Sequence, residues 1–412
     1  MIEQPFDKFE FEPNYDEDKV PIFKVPNPLE MFCGERVNTI EEWEGRRRPE
    51  LLDFFTHNVY GKVPGELKFT SLRVVEQSNS AIEGKAKRKQ VKLIFEGNKQ
   101  TLTLNILIYL PKNVSRAPVF MGYNFYGNHT VTNGSKIIIS DAWTVNNESL
   151  GITNNKLDEQ SRGVCASRWA VEAIIDAGFG LVTLFYGEVD PDKNDMTDGI
   201  HPLLYTHEQQ SPASDEWGSI AAWSWGLSRA MDYLEKDLDI DASKVVLFGH
   251  SRLGKTSLWA GATDQRFAAV ISNNSGCGGA ALSKRKYGET IERINHRFPH
   301  WFCSNFKIYS NNEEQLPVDQ HELLALIAPR PLYVASAEED RWADPRGEYL
   351  SVYYATPVYR LYNKKGVDNI DMPSVNQPIQ NRLAYHIRRG KHDVTEYDWK
   401  QYIKWAKVHL IE

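Results

Sequence analysis

The chain has 412 residues, 41% of them hydrophobic and 25% charged, with a net charge of −7. That length and composition describe a globular protein with a large core, organised as one big domain or two ordinary ones. The negative balance excludes binding to nucleic acid through general basicity, and no apolar run is long enough to span a bilayer.

Residues 1 to about 40 are rich in proline and acidic groups and read as an extended arm. The first twenty residues are acidic and aromatic without an apolar stretch, so the chain reads as carrying no signal peptide. Residues 39–60 read as a helix capped by Thr39, with Trp43, Leu51, Phe54 and Phe55 on its apolar face. Residues 90–96 and 102–110 read as strands of an antiparallel hairpin turning at Gly97-Asn98. The short apolar runs 118–123 and 180–185 predict strands covered on both faces. Between them, 128–156 is polar and reads as a long surface loop, and 169–177 as a crossover helix.

The second half alternates. Helices are predicted at 220–234, 255–262, 349–362 and 395–409, and strands at 245–248, 268–271, 330–335 and 383–387. Such alternation predicts an α/β fold with a mainly parallel sheet, and sites in these folds lie beyond the C-terminal ends of the strands. The four cysteines (Cys33, Cys165, Cys277 and Cys303) show no metal-ligand spacing and read as buried free thiols, with one disulfide as the alternative.

The most informative stretch is Val245-Val246-Leu247-Phe248-Gly249-His250-Ser251-Arg252-Leu253-Gly254-Lys255. An apolar β-branched run ending in Gly-x-Ser before a helical segment reads as a nucleophile elbow. The elbow lifts the serine oxygen above the sheet and aims the helix N-terminus at any oxyanion that forms. Against this, the usual glycine two after the serine is Leu253, and an ordinary strand-end turn is the plainer reading. A serine needs a base, and in an α/β-hydrolase the order is serine, acid, histidine. His392 lies in a loop past a strand, whereas His386 falls inside the strand and His409 on the last helix, so His392 is the candidate base. For the acid, the loop 336–345 offers Asp340 first, then Asp344 and Glu339.

The segment Gly249-His250-Ser251-Arg252-Leu253-Gly254-Lys255 resembles the Gly-x-Ser-Arg-x-Gly-Lys signature of glucuronoyl esterases, carbohydrate esterase family 15. Further stretches are similar to its bacterial branch: Arg46-Arg47-Arg48-Pro49-Glu50, Asn124-Phe125-Tyr126-Gly127-Asn128-His129, Arg168-Trp169, Ser275-Gly276-Cys277-Gly278-Gly279 and Trp342-Ala343-Asp344-Pro345. The resemblance implies an α/β-hydrolase fold, a three-layer sandwich, and a serine triad that needs no cofactor or metal. It implies cleavage of esters joining the glucuronic acid of xylan to lignin alcohols, by a monomer without nucleic-acid or membrane partners. It also implies a secreted or periplasmic enzyme, with a cytoplasmic one as the alternative left by the missing signal peptide.

Residue by residue, Ser251 matches the nucleophile, His392 the base, and Arg252 the oxyanion-stabilising arginine. Lys255 and Glu289 match groups that bind sugar hydroxyls, and Trp342 an aromatic lining the uronate pocket. One position departs: where many members carry the triad glutamate, just before Ser275, this chain has Asn274. The acid then falls to Asp340, with an acetyl xylan esterase, a serine peptidase or a non-catalytic carbohydrate-binding relative as alternatives.

Overall fold

The computed structural model describes residues 10–412; the part of the arm before residue 10 lies outside the described residues. Nine strands form one sheet: β1 (Ser71–Ala81), β2 (Ala86–Gly97), β3 (Gln100–Pro111), β4 (Ala117–Asn124), β5 (Gly180–Phe185), β6 (Ile240–His250), β7 (Ala269–Asn273), β8 (Leu332–Ala337) and β9 (Leu383–Arg388). Their order is β1-β2-β3-β5-β4-β6-β7-β8-β9. The first three are antiparallel, β5 joins β3 antiparallel, and β4 to β9 run parallel to one another and to β5. Strands β4 to β9 are buried along most of their length, as expected where helices cover both faces. The architecture is the α/β-hydrolase fold.

The predicted elements are present with shifted ends. Thr39 caps its helix in a reciprocal box with Glu42, and the helical stretch continues to Tyr60, alternating α-helical turns with wider π-helical ones. The helix predicted at 255–262 begins earlier, at Arg252, directly after the serine. The reading of 128–156 as a surface loop needs correction. Asn128, His129, Thr130, Val131, Ile137 and Ile152 are buried, because the backbone folds into short 3-10 turns that pack against the sheet.

Strand β1 is absent from the sequence reading. It is an edge strand, much of it exposed, and irregularities at Val74/Glu76 and Ser78/Ala81 break the alternation that would mark it. The short helices His201–Leu204, Ile291–Arg297 and Gln320–Ala325 also escaped it, being four to seven residues long. All four cysteines are free thiols, which leaves no disulfide, and Cys33 is exposed rather than buried. No helix among the described residues is long and apolar enough to cross a membrane.

Candidate active site

Ser251 sits between β6 and the helix Arg252–Thr263 with φ 58° and ψ −129°, a strained backbone for a residue with a side chain. Two glycines make this turn possible. A Cβ on Gly249 would lie 1.9 Å from the Leu253 carbonyl oxygen, and one on Gly254 would lie 2.9 Å from Ser275 Cβ. Gly249 therefore lets the helix fold back over the strand, and Gly254 lets it pack against the turn after β7. The glycine that looked misplaced in the motif has this packing role. The serine hydroxyl caps none of the helix N–H groups, so the first-turn N–H of Arg252 remains free of the helical ladder.

His392 follows β9, in the loop before the helix Glu396–Leu410. Its Nδ1 lies 2.6 Å from Asp340 Oδ2, and its ring sits 4.5 Å from the ring of His250, the residue before Ser251. An ionised carboxylate only accepts, so Nδ1 carries the proton and the Nε2 lone pair is left to act as a base. The loop is clamped from beneath. Arg388 donates to the backbone oxygens of Arg389, Lys391 and Asp393 and to Asp398, which also takes His386. His386 is thus a buried structural partner, as its place inside β9 suggested. His250 is fully buried, and burial pushes its pKa well down, with His392 and Arg168 adding to the effect. It presents a neutral ring behind His392.

Of the three candidate acids, Asp340 alone meets the histidine. Asp344 caps the helix Pro345–Leu361 through Gly347 N–H and pairs with Arg285, while Glu339 is exposed. Asn274, immediately after β7, donates its Nδ2 to Asp340 Oδ2 at 2.9 Å. The residue in the usual glutamate position is therefore a hydrogen-bond support for the carboxylate in the loop after the next strand.

Arg252 projects among aromatic rings, with its guanidinium carbon 4.8 Å from the Trp301 centroid and 5.5 Å from that of Phe298. It pairs with Asp192, a residue the sequence reading missed. Asp192 also accepts from His300 Nε2 at 2.9 Å, Trp301 Nε1 at 2.8 Å and the Tyr186 hydroxyl at 3.1 Å. Burial works to raise its pKa, but the Arg252 charge and these donors hold it well below the usual carboxylate range. The only sequence hint is alternation of acids at Glu188, Asp190 and Asp192 just past β5.

Lys255 is buried one turn along the same helix. It donates to the Ser275 backbone oxygen, and its Nζ is 4.0 Å from Glu289 Oε2. Burial lowers the Lys255 pKa against the pull of Glu289, and raises that of Glu289 against the pull of Lys255. The Glu289 N–H bonds the Trp342 carbonyl at 3.0 Å, which ties the loop after the Ser275 turn to the loop that carries Asp340. Ser251, Arg252, Asp340, His392, Lys255, Glu289 and Trp342 all lie on segments at or beyond the C-terminal end of the parallel strands, at one edge of the sheet.

Comparison with known proteins places the whole chain. A family described as "Glucuronyl esterase, fungi" matches residues 164–363. The chain is 49% identical to "Carbohydrate esterase MZ0003", from an unknown prokaryotic organism, over 96% of this chain and 92% of that one. A solved structure of a promiscuous CE15 esterase from the marine bacterial metagenome superposes with a TM-score of 0.91 at 48% identity, covering 97% of this chain and 100% of that chain. The glucuronoyl esterase of Solibacter usitatus superposes at 0.89 with 46% identity, over 95% and 100%. The chain belongs to the glucuronoyl esterases of carbohydrate esterase family 15, hydrolases of carboxylic esters.

Proposed function

We propose that this protein hydrolyses esters of glucuronic acid by acyl transfer through Ser251, with His392 as base and Asp340 as the acid that holds it. The observation that carries this reading is the 2.6 Å contact between His392 Nδ1 and Asp340 Oδ2, on a ring packed against the residue preceding the elbow serine. His392 Nε2 takes the Ser251 proton as the oxygen attacks the C6 carbonyl. The developing oxyanion meets the Arg252 N–H, the positive end of its helix and the Arg252 side chain. His392 then protonates the departing alcohol, and water, activated the same way, releases the uronate.

The carboxyl being cut is esterified and uncharged, so recognition falls on the sugar hydroxyls. Lys255 and Glu289 are buried, opposite in charge and 4.0 Å apart, and a hydroxyl can accept from one while donating to the other. Trp342 offers a ring for the C–H face of the sugar. The relatives named 4-O-methyl-glucuronoyl methylesterase, such as that of Wolfiporia cocos at 34% identity, support a uronate substrate.

A single sheet spanning residues 71–388 supports one catalytic domain over 28–412 behind an arm of 1–27. A plant-wall ester is met outside the cytoplasm, which favours a secreted or periplasmic site. The test compares kcat/KM on benzyl glucuronate, 4-nitrophenyl acetate and acetylated xylan. Preference for the glucuronate ester is expected; faster release of acetate from xylan overturns the uronate assignment.

A further inference from the structure

Behind His392 lies a polar arrangement that the acyl-transfer steps leave unused. Asn273 ends β7 and is fully buried. Its carbonyl accepts the Ser251 N–H at 2.9 Å. Its side-chain Nδ2 lies 3.0 Å from the Asp393 carbonyl oxygen and 2.9 Å from His250 Nδ1. Its Oδ1 accepts from the Tyr402 hydroxyl at 2.8 Å. One residue thus touches Ser251, the residue before it and the residue after His392. These partners fix the protons. A backbone carbonyl only accepts, so the amide must present Nδ2 to Asp393. One Nδ2 hydrogen goes there and the other goes to His250, whose Nδ1 is then the bare, accepting nitrogen. His250 is left as its Nε2–H tautomer, without charge.

The surroundings of His250 make that tautomer matter. The His392 ring is 4.5 Å away, Phe125 packs edge-on at 6.0 Å, and Arg168 and Arg388 add positive charge nearby. The carboxylates of this region are engaged elsewhere: Asp393 pairs with Arg168, Asp398 with Arg388, and Asp340 with His392. We propose that Asn273 is a positioning residue: its amide ties the nucleophile elbow to the loop of the base and keeps a proton off His250 Nδ1, so that the positive charge of the transition state forms on His392 beside a neutral ring. An imidazolium at His250 would repel that charge across the 4.5 Å between the rings. The same amide sets the distance between the two loops, because it bonds the Asp393 carbonyl on one side and receives Ser251 through its own backbone on the other. This rests on the reading of His392 as the base given above.

Asn273→Asp keeps the shape of the side chain and the bond from Tyr402 but turns the donor into an acceptor. That draws a proton onto His250 Nδ1 and pushes the Asp393 carbonyl away. With benzyl glucuronate, kcat of this variant is expected to fall about 10²-fold near about pH 6, with KM within about two-fold of wild type. The deficit is expected to shrink at least about ten-fold by about pH 9, as His250 loses its charge. Turnover within about three-fold of wild type near about pH 6, a deficit equal at both pH values, or an effect on KM alone overturns the proposal. Nitrogen-15 NMR of the unaltered chain with labelled histidines, assigned with His250→Gln, tests the same point independently of how the variant folds. A bare Nδ1 and a protonated Nε2 on His250 are expected from about pH 6 to about pH 9, and a proton on Nδ1 overturns the proposal. His392→Ala checks the underlying reading. Retained turnover overturns that reading and this inference together, whereas lost turnover beside an unaffected Asn273→Asp overturns the inference alone.

Discussion

Asn274 donates its side-chain amide to Asp340 at 2.9 Å, on the same carboxylate oxygen that faces His392. A neutral donor at the end of β7 and an acid after β8 form a matched pair. Two carboxylates at this spacing would repel and force one to stay protonated. Asp340→Ala is expected to lower kcat on benzyl glucuronate by about 10³–10⁴-fold. Adding Asn274→Glu to that variant returns a carboxylate to the same space and is expected to restore at least about ten-fold of the loss. Kinetics of the single and double variants check this, and a double variant no faster than Asp340→Ala contradicts it.

Asp192, itself buried, is the partner that makes a half-buried Arg252 tolerable. Its pKa is depressed, so its stabilisation is present above the unfolded carboxylate pKa and is lost as pH falls through the folded value. Asp192→Asn strands the guanidinium among Phe125, Phe298 and Trp301. A loss of about 3–5 kcal/mol is expected by urea unfolding at pH 7, narrowing toward zero at low pH.

Arg388 acts through His392. It holds three carbonyls of the loop that presents the imidazole, and Asp398 anchors it. Arg388→Met is expected to cut kcat by about 10²-fold while KM changes little, because misplacing a catalytic group disturbs chemistry more than binding. A shift confined to KM would contradict this positioning role.

Glu348 is sealed beneath the Ser275 turn, bonded by Ser275 N–H at 2.7 Å and by the Gly276 N–H and the Ser336 hydroxyl. Burial outweighs these donors and pushes its pKa up to about 8. The folded protein then holds a proton that the unfolded chain releases near pH 4.5, so stability falls as pH rises from about 4.5 to about 8 and levels off above. Glu348→Gln removes that release. Its Tm is expected to match wild type near pH 4.5 and to exceed it by about 3 °C or more at pH 9, measured by thermal unfolding across pH. A constant offset at all pH values would contradict the protonated state.

The candidate site was legible because its signals are local or ordered along the chain. Gly249 and Ser251 sit on a strand-turn-helix pattern, His392 on a loop past a strand, and Asp340 in an acidic loop after another. Asp340 ranks ahead of Asp344 in the sequence already, and the fold adds the physical reason, since Asp344 is taken by Arg285. Asp192 was hidden for a similar reason: it lies 60 positions from Arg252 in an irregular stretch, and nothing local marks the pair. Strand β1 was lost because a half-exposed edge strand with two irregularities has no clean period of two. The arm crosses the 285–290 and 341–346 loops, where Arg285 bonds Glu17 and Arg341 bonds the Tyr15 carbonyl, a contact between segments some 270 to 330 residues apart that is set by tertiary packing alone.

The most direct measurement is turnover of benzyl glucuronate by Ser251→Ala protein that unfolds at the wild-type temperature. A loss of about 10⁵–10⁶-fold in kcat is predicted, since no other group would supply the attacking oxygen. Turnover within about ten-fold of wild type would show that the hydroxyl at this elbow is not the nucleophile.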